Sequence, residues 1–92
     1  MMDQTVLQGQ VIELIAKQYR ESLAFQPEVP ITMETSIVRD LGFDSLMLVV
    51  LQIEVEDAFQ IRFDFVSEDF QKTFSSVGTL CDSVWNCINH RI

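Results

Sequence analysis

Ninety-two residues with 14 acids, six bases, a formal charge of -8 and 48% apolar side chains suit one domain with a single modest core. That apolar fraction excludes a disordered chain, no apolar run is long enough to cross a bilayer, and an acidic surface repels phosphate backbones, which argues against nucleic acid as partner. Cys81 and Cys87 are set well apart around any helix axis, so no disulfide joins them, and one histidine leaves no zinc set.

The start "MMDQTVLQGQ" has neither the apolar block of a signal peptide nor the Arg-rich bias of a transit peptide, so a cytoplasmic chain is expected. From Asp3 to Leu23, Leu7, Val11, Leu14 and Ile15 recur at helical spacing, with Gly9 as a weak point inside the segment. Pro27 and Pro30 then end helix-compatible sequence. A long connection follows from Phe25 to Asp44, with one short turn near "TSIVRDL" and Gly42 placed for a positive φ.

Asp44 or Ser45 caps a second helix that runs to about Phe59 without proline or glycine. "FQIRFDFV" alternates like a strand from Phe59 to Phe65, but a lone strand has no partner. A short third helix is predicted around "SEDFQK", with Ser67 as cap and Glu68 and Asp69 in its first turn. The last helix begins at "SSV" and carries Val77, Leu80, Cys81, Val84 and Ile88 on one stripe. The expected fold is all-α: a small four-helix bundle of three main helices plus the short third one, with a long loop between the first two.

Stepping about 100° per residue along the second helix sorts its apolar residues into two arcs. Met47, Leu48, Leu51, Val55, Ala58 and Phe59 form one, which runs to the helix end and is the expected core face. Leu46, Val49, Val50 and Ile53 form the other, beside Ser45, with Glu54 and Asp57 alongside. Three main helices rarely surround one of their number, so the second arc is expected to be partly exposed and to serve as a docking surface. Ser45 itself has two readings, a plain helix cap or a site that another molecule must reach. Hydrolase chemistry lacks its parts: there is no G-x-S-x-G elbow, and the only base candidate is His90 near the C-terminus. A helix N-terminus does suit a phosphate substituent.

At residues 35–46, "TSIVRDLGFDSL" resembles the signature of acyl carrier proteins, and the order of helices agrees from about Val6 to Ile88. The resemblance implies a single carrier domain over residues 1–92, not an enzyme, with 4'-phosphopantetheine attached at Ser45. It implies that Asp44 helps a phosphopantetheinyl transferase engage the carrier. Leu46 would be an apolar partner contact, and the surface of the following helix (Met47, Val50, Ile53, Glu54, Asp57) a partner face. Gly42 and Leu41 would shape the turn. The arm would come from coenzyme A with Mg2+, and a ligase, acyltransferase or ketosynthase would load and process thioesters on it. The carrier itself would be a monomer with no membrane or nucleic-acid partner.

Departures from the family pattern shift the expected pathway. Met47 and Val50 stand where fatty-acid carriers usually place acids, Arg39 where an acid is common, and "QIRFDFVSEDFQKTFSSV" is longer and richer in phenylalanine than usual. They favour a specialised fatty-acid or polyketide-type role over housekeeping synthesis. An aminoacyl or peptidyl carrier and an unmodified helical adaptor are the alternatives.

Overall fold

The computed structural model describes residues 3–23, 30–63 and 70–89. Four helices follow in order: α1 Gln4–Leu23, α2 Ser45–Phe59, α3 Phe70–Thr73 and α4 Val77–Asn89. The all-α bundle expected from the periodicity is the observed fold, and the described residues contain no strand. One isolated antiparallel bridge joins Ser36 to Ser76. α1 packs against both α2 and α4, and the short α3 packs against α4.

Each main helix starts on a side-chain cap. The Asp3 carboxylate accepts from the Val6 amide at 2.9 Å, which satisfies one of the donors that a helix start leaves orphaned. At α4 the Ser76 hydroxyl accepts from the Thr79 amide at 3.2 Å, and the Thr79 hydroxyl accepts from the Ser76 amide at 3.0 Å. That reciprocal pair is a capping box with threonine in the usual Glu position.

The core lies where the three apolar stripes meet. Leu7, Val11 and Ile15 of α1, Leu48, Leu51, Val55 and Phe59 of α2, and Val77, Leu80, Cys81 and Val84 of α4 are all buried. Leu14 and Ile88, at the stripe edges, are only half-buried. Ala58 departs from expectation and is exposed. The true core face of α2 is narrower than its apolar arc, and Ala58 sits on its shoulder, beside Gln10 and Leu14 of α1. Cys81 and Cys87 are not joined in a disulfide, as their spacing requires.

From residue 30 onward, the connection between α1 and α2 is held by its own hydrogen bonds. The Ser36 amide donates to the Asp40 carboxylate at 2.8 Å, the Arg39 amide donates to the Ser36 hydroxyl at 3.1 Å, and the Asp40 amide donates to the Ser36 carbonyl at 2.9 Å. Together they close one helical turn that drives Ile37 and Leu41 into the core, four residues apart on one face. Gly42 ends that turn at φ 73°, a left-handed conformation open to glycine without steric cost.

Three backbone bonds then stitch the connection to the start of α4. The Val77 amide donates to the Thr35 carbonyl at 3.0 Å, Gly78 to Met33 at 2.8 Å, and Ile37 to Ser75 at 3.3 Å. A Cβ on Gly78 would lie 3.0 Å from the Met33 carbonyl oxygen, so the glycine is what lets the two backbones meet.

α2 ends with Gln60 in the left-handed region at φ 55°, and the Ile61 amide folds back onto the Glu56 carbonyl at 3.0 Å. The Glu56 carboxylate then accepts from the Phe63 amide at 2.9 Å. Ile61 and Phe63 are buried and Arg62 is exposed. The strand-like alternation thus records buried Ile61 and Phe63 on either side of exposed Arg62, with no partner strand among the described residues; Phe65, where the alternation was expected to end, lies outside them. The predicted cap Ser67, with Glu68 and Asp69, and likewise Pro27 and His90, lie outside the described residues.

Candidate functional site

The site is the junction of the stitched connection with α2. Phe43 is buried at 2% exposure and pins the chain immediately before the helix. Asp44 follows in extended conformation, φ -94° and ψ -178°, as the N-cap. Its carboxylate accepts from the Met47 amide at 2.9 Å. The two readings of "DSL" thereby separate: Asp44 is the cap, and Ser45 is the first helical residue.

Relieved of the capping role, Ser45 is exposed, and its hydroxyl has no hydrogen-bond partner among the described residues. The Ser45 and Leu46 amides are likewise uncommitted among the described residues. A phosphodiester on the Ser45 hydroxyl fits this geometry. Its oxygens would face free amides at the positive end of the helix dipole, a placement that stabilises an anion by roughly 0.3–1 kcal/mol. The fold holds Ser45 exposed to solvent.

Asp44→Ala is expected to cost about 0.5–2 kcal/mol of stability, because the Met47 amide loses its acceptor. Urea melts of the variant and the parent measure it. An unchanged midpoint would show that the helix start does not depend on this bond.

Down the helix from Ser45 the second arc faces solvent over much of its area. Leu46 is 72% exposed, Ile53 58% and Val49 43%. Val50 and Met47 are half-buried, at the margins between this arc and the core. Of the two flanking acids, Asp57 is exposed. Glu54 is half-buried, with its Oε2 shut from solvent and without a hydrogen-bond partner among the described residues, so it offers a visiting cation only part of its carboxylate. Val38, 48% exposed, precedes the site in sequence and adds to the apolar surface of the connection.

Sequence reasoning did not find one feature next to this arc. Ile53, Glu56, Asp57, Gln60, Ile61, Arg62 and Cys87 line a cavity of about 820 Å³. The Cys87 thiol there lies 3.9 Å from the Arg62 carbonyl. No local pattern could have joined Arg62 to Cys87 across 25 residues of chain. Only the return of α4 beside the end of α2 brings them together. The other thiol, Cys81, is buried, and desolvation first, then the neighbouring Asp82 carboxylate, pushes it up to about 11.

Among the described residues no group of acids, cysteines and histidine could hold a metal ion, and no helix is long and apolar enough to cross a membrane. No curated protein matches the chain. Alongside this exposed serine at a capped helix start, the family described as "phosphopantetheine attachment site" matches residues 10–84, and the chain belongs to that family.

Proposed function

We propose that this chain is a single acyl carrier protein domain over residues 1–92, bearing 4'-phosphopantetheine on Ser45 and serving specialised fatty-acid or polyketide-type synthesis. The observation that carries the assignment is the exposed, uncommitted hydroxyl of Ser45 at the start of α2, within the residues matched by the family. When bound, the arm supplies a terminal thiol on which acyl groups travel as thioesters. The chain's own residues position that arm and present it; the chemistry belongs to other proteins.

The partners of this reading are a phosphopantetheinyl transferase using coenzyme A and Mg2+, and loading and processing enzymes such as a ligase, an acyltransferase or a ketosynthase. They would meet the carrier on Asp44, Leu46, Met47, Val50, Ile53, Glu54 and Asp57. Exposure of Leu46 and Ile53 supports that face, since apolar side chains left in water next to a functional group gain most from being covered. The apolar residues at 47 and 50 support the specialised role, because a partner suited to them needs less basic charge and more apolar contact.

Incubation with coenzyme A, Mg2+ and a broad-specificity transferase is expected to add one phosphopantetheinyl group, and Ser45→Ala to abolish the addition. Intact mass is the readout. An adduct that survives Ser45→Ala, or no adduct with any of several transferases, overturns the assignment.

A further inference from the structure

The approach to Ser45 is held in place from the entry of α4. Phe43, just before the cap, donates its amide to the Ile37 carbonyl at 3.3 Å, and Ile37 donates its own amide to the Ser75 carbonyl at 3.3 Å. Ile37 thus grips the entry of α4 with one backbone group and the approach to Ser45 with the other. Its side chain is wholly buried, so it cannot shift without disturbing close-packed neighbours. The α4 end of this path is tied down separately. The Ser75 amide donates to the Lys72 carbonyl at 3.3 Å, and the Thr79 hydroxyl to the Thr73 carbonyl at 3.0 Å.

Gly78, in the first turn of α4, is where the connection and the helix press closest. Its amide donates to the Met33 carbonyl at 2.8 Å, beside the bond from Val77 to Thr35 at 3.0 Å. A Cβ at 78 would stand 3.0 Å from the Met33 oxygen and 3.8 Å from the Met33 Cβ. The atom in the way is backbone, so the connection itself has to retreat by a few tenths of an ångström. The helix gives no other reason for glycine here, because alanine is the better helix former.

We propose that Gly78 is a positioning residue for transfer of the arm: it seats the connection against α4, and through Met33, Ile37 and Phe43 that seat fixes where the Ser45 hydroxyl stands. The proposal rests on Ser45 as the attachment residue. In the transfer the Ser45 oxygen bonds to the pantetheine-bearing phosphorus of coenzyme A. The pyrophosphate bond to the adenosine half breaks, and the hydroxyl proton passes to a base on the transferase. Attacking and leaving oxygens have to stand in line across that phosphorus, and a misplacement of about 1 Å costs on the order of a hundredfold. A retreat of a few tenths of an ångström is therefore expected to lower kcat about three- to tenfold. The outer face of α2 is untouched, so the KM for the carrier stays as in the parent.

The test compares the parent with Gly78→Ala and Val84→Ala in transfer from coenzyme A with Mg2+ and transferase, at a temperature where all are folded. Val84 is wholly buried further along α4, and its truncation lowers stability without touching the connection. Gly78→Ala should lose kcat about three- to tenfold at unchanged carrier KM. By nuclear magnetic resonance its Phe43 amide, whose acceptor is Ile37, should exchange with solvent faster than in the parent. Val84→Ala should melt lower yet transfer at the parent kcat. If Gly78→Ala does not fold, Ile37→Val, which shortens the buried side chain on the path, is read in the same way. Parent kcat or parent Phe43 exchange in the folded variant overturns the positioning role, as does an equal kcat loss in Val84→Ala, and each leaves the carrier reading intact. A parent that takes up no arm overturns both.

Discussion

Leu51→Ala is expected to destabilise the domain by about 2–5 kcal/mol, whereas Ile53→Glu, two residues further on, should stay within about 0.5 kcal/mol of the parent. Both are large aliphatic residues in the middle of α2, and the sequence offers no difference in type to separate them. Leu51 is wholly buried and Ile53 is 58% exposed. Truncation at 51 removes buried methyls and leaves a hole between helices that the core cannot fully close. A carboxylate at 53 remains in water and costs little. The same charge would sit in the middle of the apolar row beside Ser45, so Ile53→Glu should slow loading by a partner enzyme although the fold is intact. Urea melts of the two variants, read with loading rates, decide it. If Ile53→Glu unfolds the protein as badly as Leu51→Ala does, the second arc belongs to the core and the docking face is wrong.

Phe74→Ala should have an effect of similar or larger size, about 3–5 kcal/mol. Phe74 is 1% exposed and follows α3 directly. Its ring meets Phe63 edge-on, with centroids 5.9 Å apart and planes at 70°, and Phe70 at 4.9 Å and 38°. Such pairs add roughly 0.5–1.5 kcal/mol beyond the area they bury. The side chain thus ties three things together: the segment directly after α2, the short α3, and the entry to α4. A domain of this size has only about 5–15 kcal/mol in total, so the variant should be marginal at room temperature. Thermal melts with near-ultraviolet circular dichroism follow the loss. A drop below about 1 kcal/mol would show that the site collapses around the deletion, which the geometry does not favour.

Much of the helical framework was legible because its signals are local. Leu7, Val11 and Ile15, or Val77, Leu80, Cys81 and Val84, repeat with the period of an α-helix, and a periodic apolar stripe has to be buried whatever covers it. The same holds for Gly42, which the chain places where the turn needs a left-handed residue. The carrier signature at residues 35–46 was legible as a resemblance, and the match over residues 10–84 bears out the family.

Other features depend on what lies opposite, and no local pattern contains that. Asp44 and Ser45 are equally good caps by residue type, and the backbone at 44 decided that aspartate takes the amide and serine keeps a free hydroxyl. Ala58 shares the periodicity of the core face yet stays exposed, because α1 does not cover that shoulder. Gly78 was unremarkable in sequence, and its need for hydrogen in place of a side chain follows from the Met33 carbonyl arriving 45 residues away in the chain.

By itself, then, the sequence determined the four helices, their inward faces, the acidic surface and the serine at the head of α2, since helix period, capping chemistry and charge act over a few residues. Only the tertiary structure decided that Asp44 rather than Ser45 caps α2, how the connection is sewn to α4, and that Cys87 comes to lie against Arg62. The last two are contacts between segments far apart in the chain, and they form only when separate helices compete to cover the same limited core.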